Sequence, residues 1–177
     1  MEREFSGGIW PVMLTPFLKT GEIDYEGVEK IVDWYVEQGS SGLFAVCQSS
    51  EMFYLSLEER VALARAVVKF AKGRIPVVAS GHISDREEDQ INEINQMSET
   101  GVDAVILLTN RFASAEESDA IWRERCSRFL KQIDPQIPLG FYECPYPYKR
   151  LMSLENLDWC VQTGRFYFLK DTCCDLN

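Results

Sequence analysis

Lys170 closes the apolar run Phe166-Tyr167-Phe168-Leu169 and precedes the last residue, Asn177, by only seven positions. A lysine ending a strand-like segment either snorkels to solvent or lies desolvated, and a desolvated amine can attack a carbonyl carbon. On position alone the snorkelling reading is the commoner one, and the rest of the chain reverses it. Three further segments combine reactive or ligand-binding side chains at the ends of apolar runs: Cys47-Gln48-Ser49-Ser50-Glu51, Thr109-Asn110-Arg111-Phe112 and Tyr142-Glu143-Cys144-Pro145. If the runs are parallel strands, all four segments meet at one face, and an amine, a phenol and a hydroxyl cluster surround one pocket. That is the equipment for forming an imine. Each residue also has a plainer reading: Tyr142 as a packing aromatic, Ser49 and Ser50 as turn formers, Glu51 as structural, and His82 as a loop histidine without a visible partner.

The elements that must position these residues recur regularly. Six short apolar runs, Ile9 to Leu14, Gly42 to Cys47, Ile75 to Ala79, Ala104 to Leu108, Ile137 to Tyr142 and Phe166 to Lys170, start about thirty residues apart. Most lack period-two alternation and each of the first five is followed by a helical pattern, which predicts buried parallel strands. The first helix should run from about Asp24 to Gln38, with Val28, Ile31, Val32, Tyr35 and Val36 on one face and Gly39 as its stop. Capping boxes at Ser56/Glu59, Ser84/Glu87 and Ser114/Glu117 announce the next three, and Ser153 opens a fifth. An α/β fold follows, as a doubly wound sheet or a barrel. No Gly-x-Gly-x-x-Gly or Walker sequence follows the first run, whereas prolines and polar clusters crowd the strand ends. This favours a (β/α)8 TIM barrel built from one domain, residues 1–177, with about six of its eight units present.

Composition narrows the function. Lys and Arg number 18 against 28 Asp and Glu, for a net charge of −10, so no basic face is expected for nucleic acid or anionic lipid. No apolar run approaches the length of a membrane span, and the start, Met1-Glu2-Arg3-Glu4-Phe5, lacks a signal-peptide pattern, so a cytoplasmic location is the expectation. The six cysteines, Cys47, Cys126, Cys144, Cys160, Cys173 and Cys174, are scattered and read as free thiols. One histidine and no metal-ligand spacing predict no metal site.

The order of segments resembles the dihydrodipicolinate synthase/N-acetylneuraminate lyase family of pyruvate-dependent class I aldolases. The resemblance starts at Gly7-Gly8, Thr15-Pro16-Phe17 and Gly21-Glu22-Ile23-Asp24. It continues through Leu55-Ser56-Leu57-Glu58-Glu59-Arg60, Gly73-Arg74-Ile75-Pro76-Val77 and Gly101-Val102-Asp103-Ala104 to Tyr142-Glu143-Cys144-Pro145 and Lys170-Asp171. It implies that Lys170 forms a Schiff base with a 2-keto acid, that Tyr142, in the place of the tyrosine of a Tyr-Asn-x-Pro segment, relays protons, and that Gln48, Ser49 and Ser50 bind the substrate carboxylate. It also implies a cofactor-free reaction and a homo-oligomer, dimer or tetramer. The sequence departs from the family where Cys47 and Ser50 replace glycines, Gln48 replaces a hydroxyl, Phe112 replaces a tyrosine and Pro147 stands near an expected arginine. These departures imply aldol cleavage or condensation other than dihydrodipicolinate synthesis. The family's seventh and eighth strands and carboxyl-terminal helical extension are missing, so the alternative is a truncated, inactive barrel fragment with a structural or binding role.

Overall fold

The computed structural model describes residues 5–174; residues 1–4, on which the reading of the amino terminus rests, and residues 175–177, including Asn177, lie outside the described residues. Helix α1 (Tyr25–Glu37) starts where Asp24 accepts the Gly27 N–H at 3.0 Å and stops before Gly39, whose φ of 80° suits glycine. Val28 and Val32 bury its inner face. Then β1 (Leu43–Phe44), α2 (Leu57–Ala71), β2 (Val77–Ser80), α3 (Glu87–Ser98), β3 (Ala104–Leu108), α4 (Asp119–Leu130), β4 (Leu139–Tyr142), α5 (Leu154–Thr163) and β5 (Phe166–Lys170) alternate along the chain.

The strands pair in chain order, β1-β2-β3-β4-β5, and every pair is parallel. A doubly wound sheet reverses its order at a switch point, whereas unbroken sequential pairing is the winding of a (β/α)8 barrel. Five strands with their helices thus form a partial TIM barrel. Strands β1 to β4 are buried throughout, which explains their continuous apolar runs, while β5 alternates between half-buried and exposed residues at the sheet edge.

The first of the six expected strands is only partly formed. Residues 9–14 join the sheet through a single parallel bridge, Val12 to Phe44. Ile9 and Pro11 carbonyls accept the N–H groups of Ser41 and Phe44, and Met13 donates back to Phe44, but Pro11 has no N–H to extend the ladder. Of the three capping boxes, only Ser56/Glu59 closes in both directions at a helix start. Ser84 is recruited by Glu93 and α3 begins without a side-chain cap, while Ser114/Glu117 shapes a turn and α4 starts at Ser118.

Glu93 also fixes the loop after β2. Its carboxylate accepts from Arg60 at 3.0 Å, from the Ser84 hydroxyl and from the N–H groups of Ile83 and Ser84, and Arg60 donates to the Gly81 carbonyl. The pair is almost fully buried, at 5% and 2% exposure. Removing one partner strands the other charge, so Glu93→Gln is expected to lose about 3 kcal/mol in denaturant titrations. A loss below about 1 kcal/mol would show that the loop relaxes to solvate Arg60.

Candidate active site

The inner face of β4 and β5 carries the amine and the phenol. The pairing runs Leu139↔Phe166 and then Gly140↔Phe168, so one extra residue is accommodated in β5. Phe166 consequently stacks on Phe141 with ring centroids 4.5 Å apart, whereas Phe168 faces Phe44 and Trp10 inside the barrel. Lys170, two residues on from Phe168, shares its inward face. Gly140 permits this crossing, because a Cβ there would meet the Phe168 carbonyl oxygen at 2.8 Å. The continuing register sets Tyr142 opposite Lys170, and Nζ lies 4.3 Å from the Tyr142 ring centroid. Cation and ring face attract at this separation.

Tyr142 is buried and meets Phe44 edge to face at 5.6 Å. Burial first, then the nearby thiols of Cys144 and Cys47, push its phenol well above the usual range, so it remains protonated. The Cys144 thiol lies close enough to act on the phenol, and it donates to Gln48 Oε1 at 3.5 Å. Phenol, thiol and amide thus line a route towards exposed Gln48.

Gln48, Ser49 and Ser50 form a short 3-10 turn after β1. Gln48 and Ser49 are exposed, and Ser50 is fully buried. The Ser50 hydroxyl lies 2.7 Å from the Met13 carbonyl oxygen and 2.6 Å from that of Ala45, and accepts the Cys47 N–H, while its own N–H bonds to Cys47 O. Thr15 donates to the Ser50 carbonyl at 2.8 Å. Ser50 therefore anchors the turn, while Gln48 meets the Cys144 thiol and Ser49 lies exposed beside it. The replaced glycines cause no strain: Cys47 is extended, and the left-handed position belongs to Glu51, at φ 65°. Burial raises the Cys47 thiol, while bonds from Ser50 and Ser49 and the field of Lys170 oppose that rise.

Glu143 carries a positioning role that sequence reasoning left unassigned. Buried at 3% exposure, it accepts the Met152 N–H at 2.7 Å and the Thr172 N–H at 2.8 Å, and its own N–H reaches the Lys170 carbonyl. Burial, with Asp171 adding, raises its pKa. The chain leaving Lys170 is thereby tied to β4. The available signal was its place in the Tyr-Asn-x-Pro segment, where an amide became an acid.

His82 and Phe112 lie elsewhere. His82 Nδ1 accepts the Leu108 N–H at 3.0 Å, so Nε2 carries the proton and donates to Gln90 Oε1, also at 3.0 Å. Phe112 packs among His82, Trp122, Phe129 and Phe141 and belongs to the core. Burial depresses the His82 pKa from 6.5 to about 3. The folded state therefore binds fewer protons than the unfolded one in that window, and the associated stability is full above pH 6.5 and declines as the pH falls. His82→Gln should remove up to about 1.4 kcal/mol per pH unit from the acid slope of urea stability, and an unchanged slope would contradict the assignment.

All six cysteines are free thiols, and no cluster of three or more His, Cys, Asp or Glu suited to a metal ion occurs among the described residues. No helix among those residues is long and apolar enough to cross a membrane. The pattern of the Dihydrodipicolinate synthetase family matches residues 5–120. The chain belongs to that family. A 4-hydroxy-tetrahydrodipicolinate synthase of Cereibacter sphaeroides is 39% identical over 165 residues, 93% of this chain and 54% of the relative, an alignment that extends beyond the pattern. The dihydrodipicolinate synthase DapA-2 of Bacillus anthracis superposes with a TM-score of 0.82 at 26% identity, over 97% of this chain and 57% of that one. The Acinetobacter baumannii synthase complexed with pyruvate gives 0.68 at 27% identity, over 80% and 46%. A catalytic lysine mutant of Ruminococcus gnavus sialic acid aldolase shares the fold, with a TM-score of 0.78 at 18% identity over 95% and 54%. The chain spans about half the length of the curated synthase-family relatives it matches.

Proposed function

We propose that this family member is a Schiff-base lyase or aldolase acting on pyruvate and a longer 2-keto acid, with Lys170 as the imine-forming amine and Tyr142 as the proton relay. The observation that carries this reading is Lys170 Nζ held 4.3 Å from the Tyr142 ring on paired strands, with Cys144, just beyond Tyr142, bonded to Gln48. The pyruvate complex of the Acinetobacter synthase supports the choice of keto acid. Ser49 and Gln48 supply polar groups for the substrate carboxylate, and Ser50 holds their turn. The departures at Phe112 and Pro147 favour a reaction other than dihydrodipicolinate synthesis.

The unprotonated Lys170 amine adds to C2, and the carbonyl oxygen takes a proton from Tyr142. Loss of water leaves a protonated imine, an electron sink. Cleavage of C3–C4 sends its electron pair towards the imine nitrogen, giving an enamine, as the C4 hydroxyl returns a proton to the Tyr142 phenolate and an aldehyde departs. Protonation at C3 and hydrolysis then release pyruvate and regenerate the amine. Borohydride reduction in the presence of pyruvate should add the mass of a reduced pyruvyl group at Lys170. Folded protein that gains no such mass would sink the proposal.

A second reading, a barrel fragment with a structural or binding role and no turnover, draws support from the β5 edge, where Tyr167 and Leu169 are 44% and 38% exposed. Size-exclusion mass separates these readings when combined with the trapping result: association without imine formation favours the second.

A further inference from the structure

The segment Thr109-Asn110-Arg111 takes no part in the imine chemistry, yet it borders a cavity of about 310 Å³ whose lining includes Asp85, Asn110, Arg111, Ser114, Arg125 and Tyr148. That is large enough for a small organic acid. Arg111 keeps its side chain 11% exposed, and its Nε is buried without a hydrogen-bond partner. Its ion pair is with Asp85 through a single contact, Nη1 to Oδ1 at 2.6 Å, and the Asp85 side chain is 95% exposed. A buried guanidinium is thus balanced by a carboxylate that water almost surrounds. The other cationic group in the cavity is committed, because Arg125 makes a two-pronged pair with Glu117 at 2.8 and 2.6 Å. Asn110, 4% exposed, is fixed through Nδ2 to the carbonyls of Cys144, Tyr146 and Tyr148, and its Oδ1 is a second buried atom without a partner.

We propose that this cavity is a receptor for the carboxylate of a small organic acid, with Arg111 as the recognising group and Asp85 as the intramolecular placeholder that the ligand displaces. Guanidinium matches carboxylate through two parallel donors, and Asp85 uses only one. A buried donor left without a bond is costly, and an incoming bidentate carboxylate relieves that cost. Asp85 leaves readily because its charge is hydrated as soon as it swings away. The ligand carries at least one carboxylate, and either it is the far end of the 2-keto acid substrate or it belongs to a separate molecule. The receptor itself rests on the cavity geometry and stands apart from the imine reading.

The test uses succinate and its uncharged diamide as calorimetric probes of the full chain. Succinate is expected to bind and the diamide not. Arg111→Met should weaken succinate by about tenfold or more, and Asp85→Asn, on an exposed side chain that leaves folding intact, should tighten it by about tenfold. Borohydride trapping then separates the sources. If Arg111→Met slows trapping of 2-oxoglutarate but not of pyruvate, the receptor reads the substrate's far carboxylate; if it slows neither while succinate affinity falls, a separate acid is the ligand. Equal binding of diamide and succinate, or no gain in Asp85→Asn, overturns the receptor. Failure of trapping in the unaltered protein counts against the imine proposal alone, since the calorimetric result does not depend on it.

Discussion

Lys170→Ala is expected to abolish borohydride-dependent attachment of pyruvate and to lower carbon-carbon lyase turnover by about 10³-fold or more, with the folded state preserved. The size of the effect follows from chemistry: without the amine there is no cationic imine to receive the electron pair of the broken bond. The stability forecast follows from position. Lys170 is half-buried at the end of an edge strand, and its Nζ contact is with the Tyr142 ring. Truncation therefore removes an attraction of roughly 0.5–2 kcal/mol and leaves Phe168 and Phe166 to hold β5. Trapping by mass spectrometry and a thermal melt on the same sample check both parts. A variant that melts normally and is still labelled with pyruvate would show that another lysine carries the reaction.

Much of this is legible in the sequence. Buried parallel strands announce themselves as unbroken apolar runs, and β2, β3 and β4 lie where those runs predict. The exception at residues 9–14 comes from Pro11, whose missing N–H limits the ladder to a bridge however apolar its neighbours are. Capping boxes were less dependable because Ser-x-x-Glu records spacing only. Ser84 had a second carboxylate, Glu93, within reach from the following helix, and no local pattern reveals that competition. The candidate site divides in the same way. Strand-end position brought Lys170 and Tyr142 to one face, whereas their direct opposition depends on the extra residue in β5, which no sequence pattern announces. The inward turn of the Ser50 hydroxyl, the core location of Phe112 and the partly satisfied Arg111 beside it all depend on short turns. In such turns, neighbouring residues of similar polarity can point in opposite directions.

Tyr142→Phe tests the second half of the mechanism because it removes one oxygen and leaves the ring that underlies Lys170. The edge contact with Phe44 is retained, so the fold and the cation-ring contact should survive. What is lost is the hydroxyl near the Cys144 thiol, which itself bonds to Gln48. General acid-base help contributes about 10²–10⁴-fold, and the rates of both imine formation and turnover are expected to fall within that range. The extent of labelling at long times should stay complete, since Lys170 remains. Burial keeps the phenol protonated, so across neutral pH it acts as the proton donor and the deficit should be nearly independent of pH. A structural role predicts a different pattern: lowered thermal stability, incomplete labelling and little change in the rate for the molecules that remain folded. Cys144→Ala extends the comparison along the same path, and a slowing smaller than that of Tyr142→Phe is expected if the thiol passes the proton onward. Equal rates in Tyr142→Phe and the unaltered protein would remove the phenol from the mechanism and assign the carbinolamine proton to another donor.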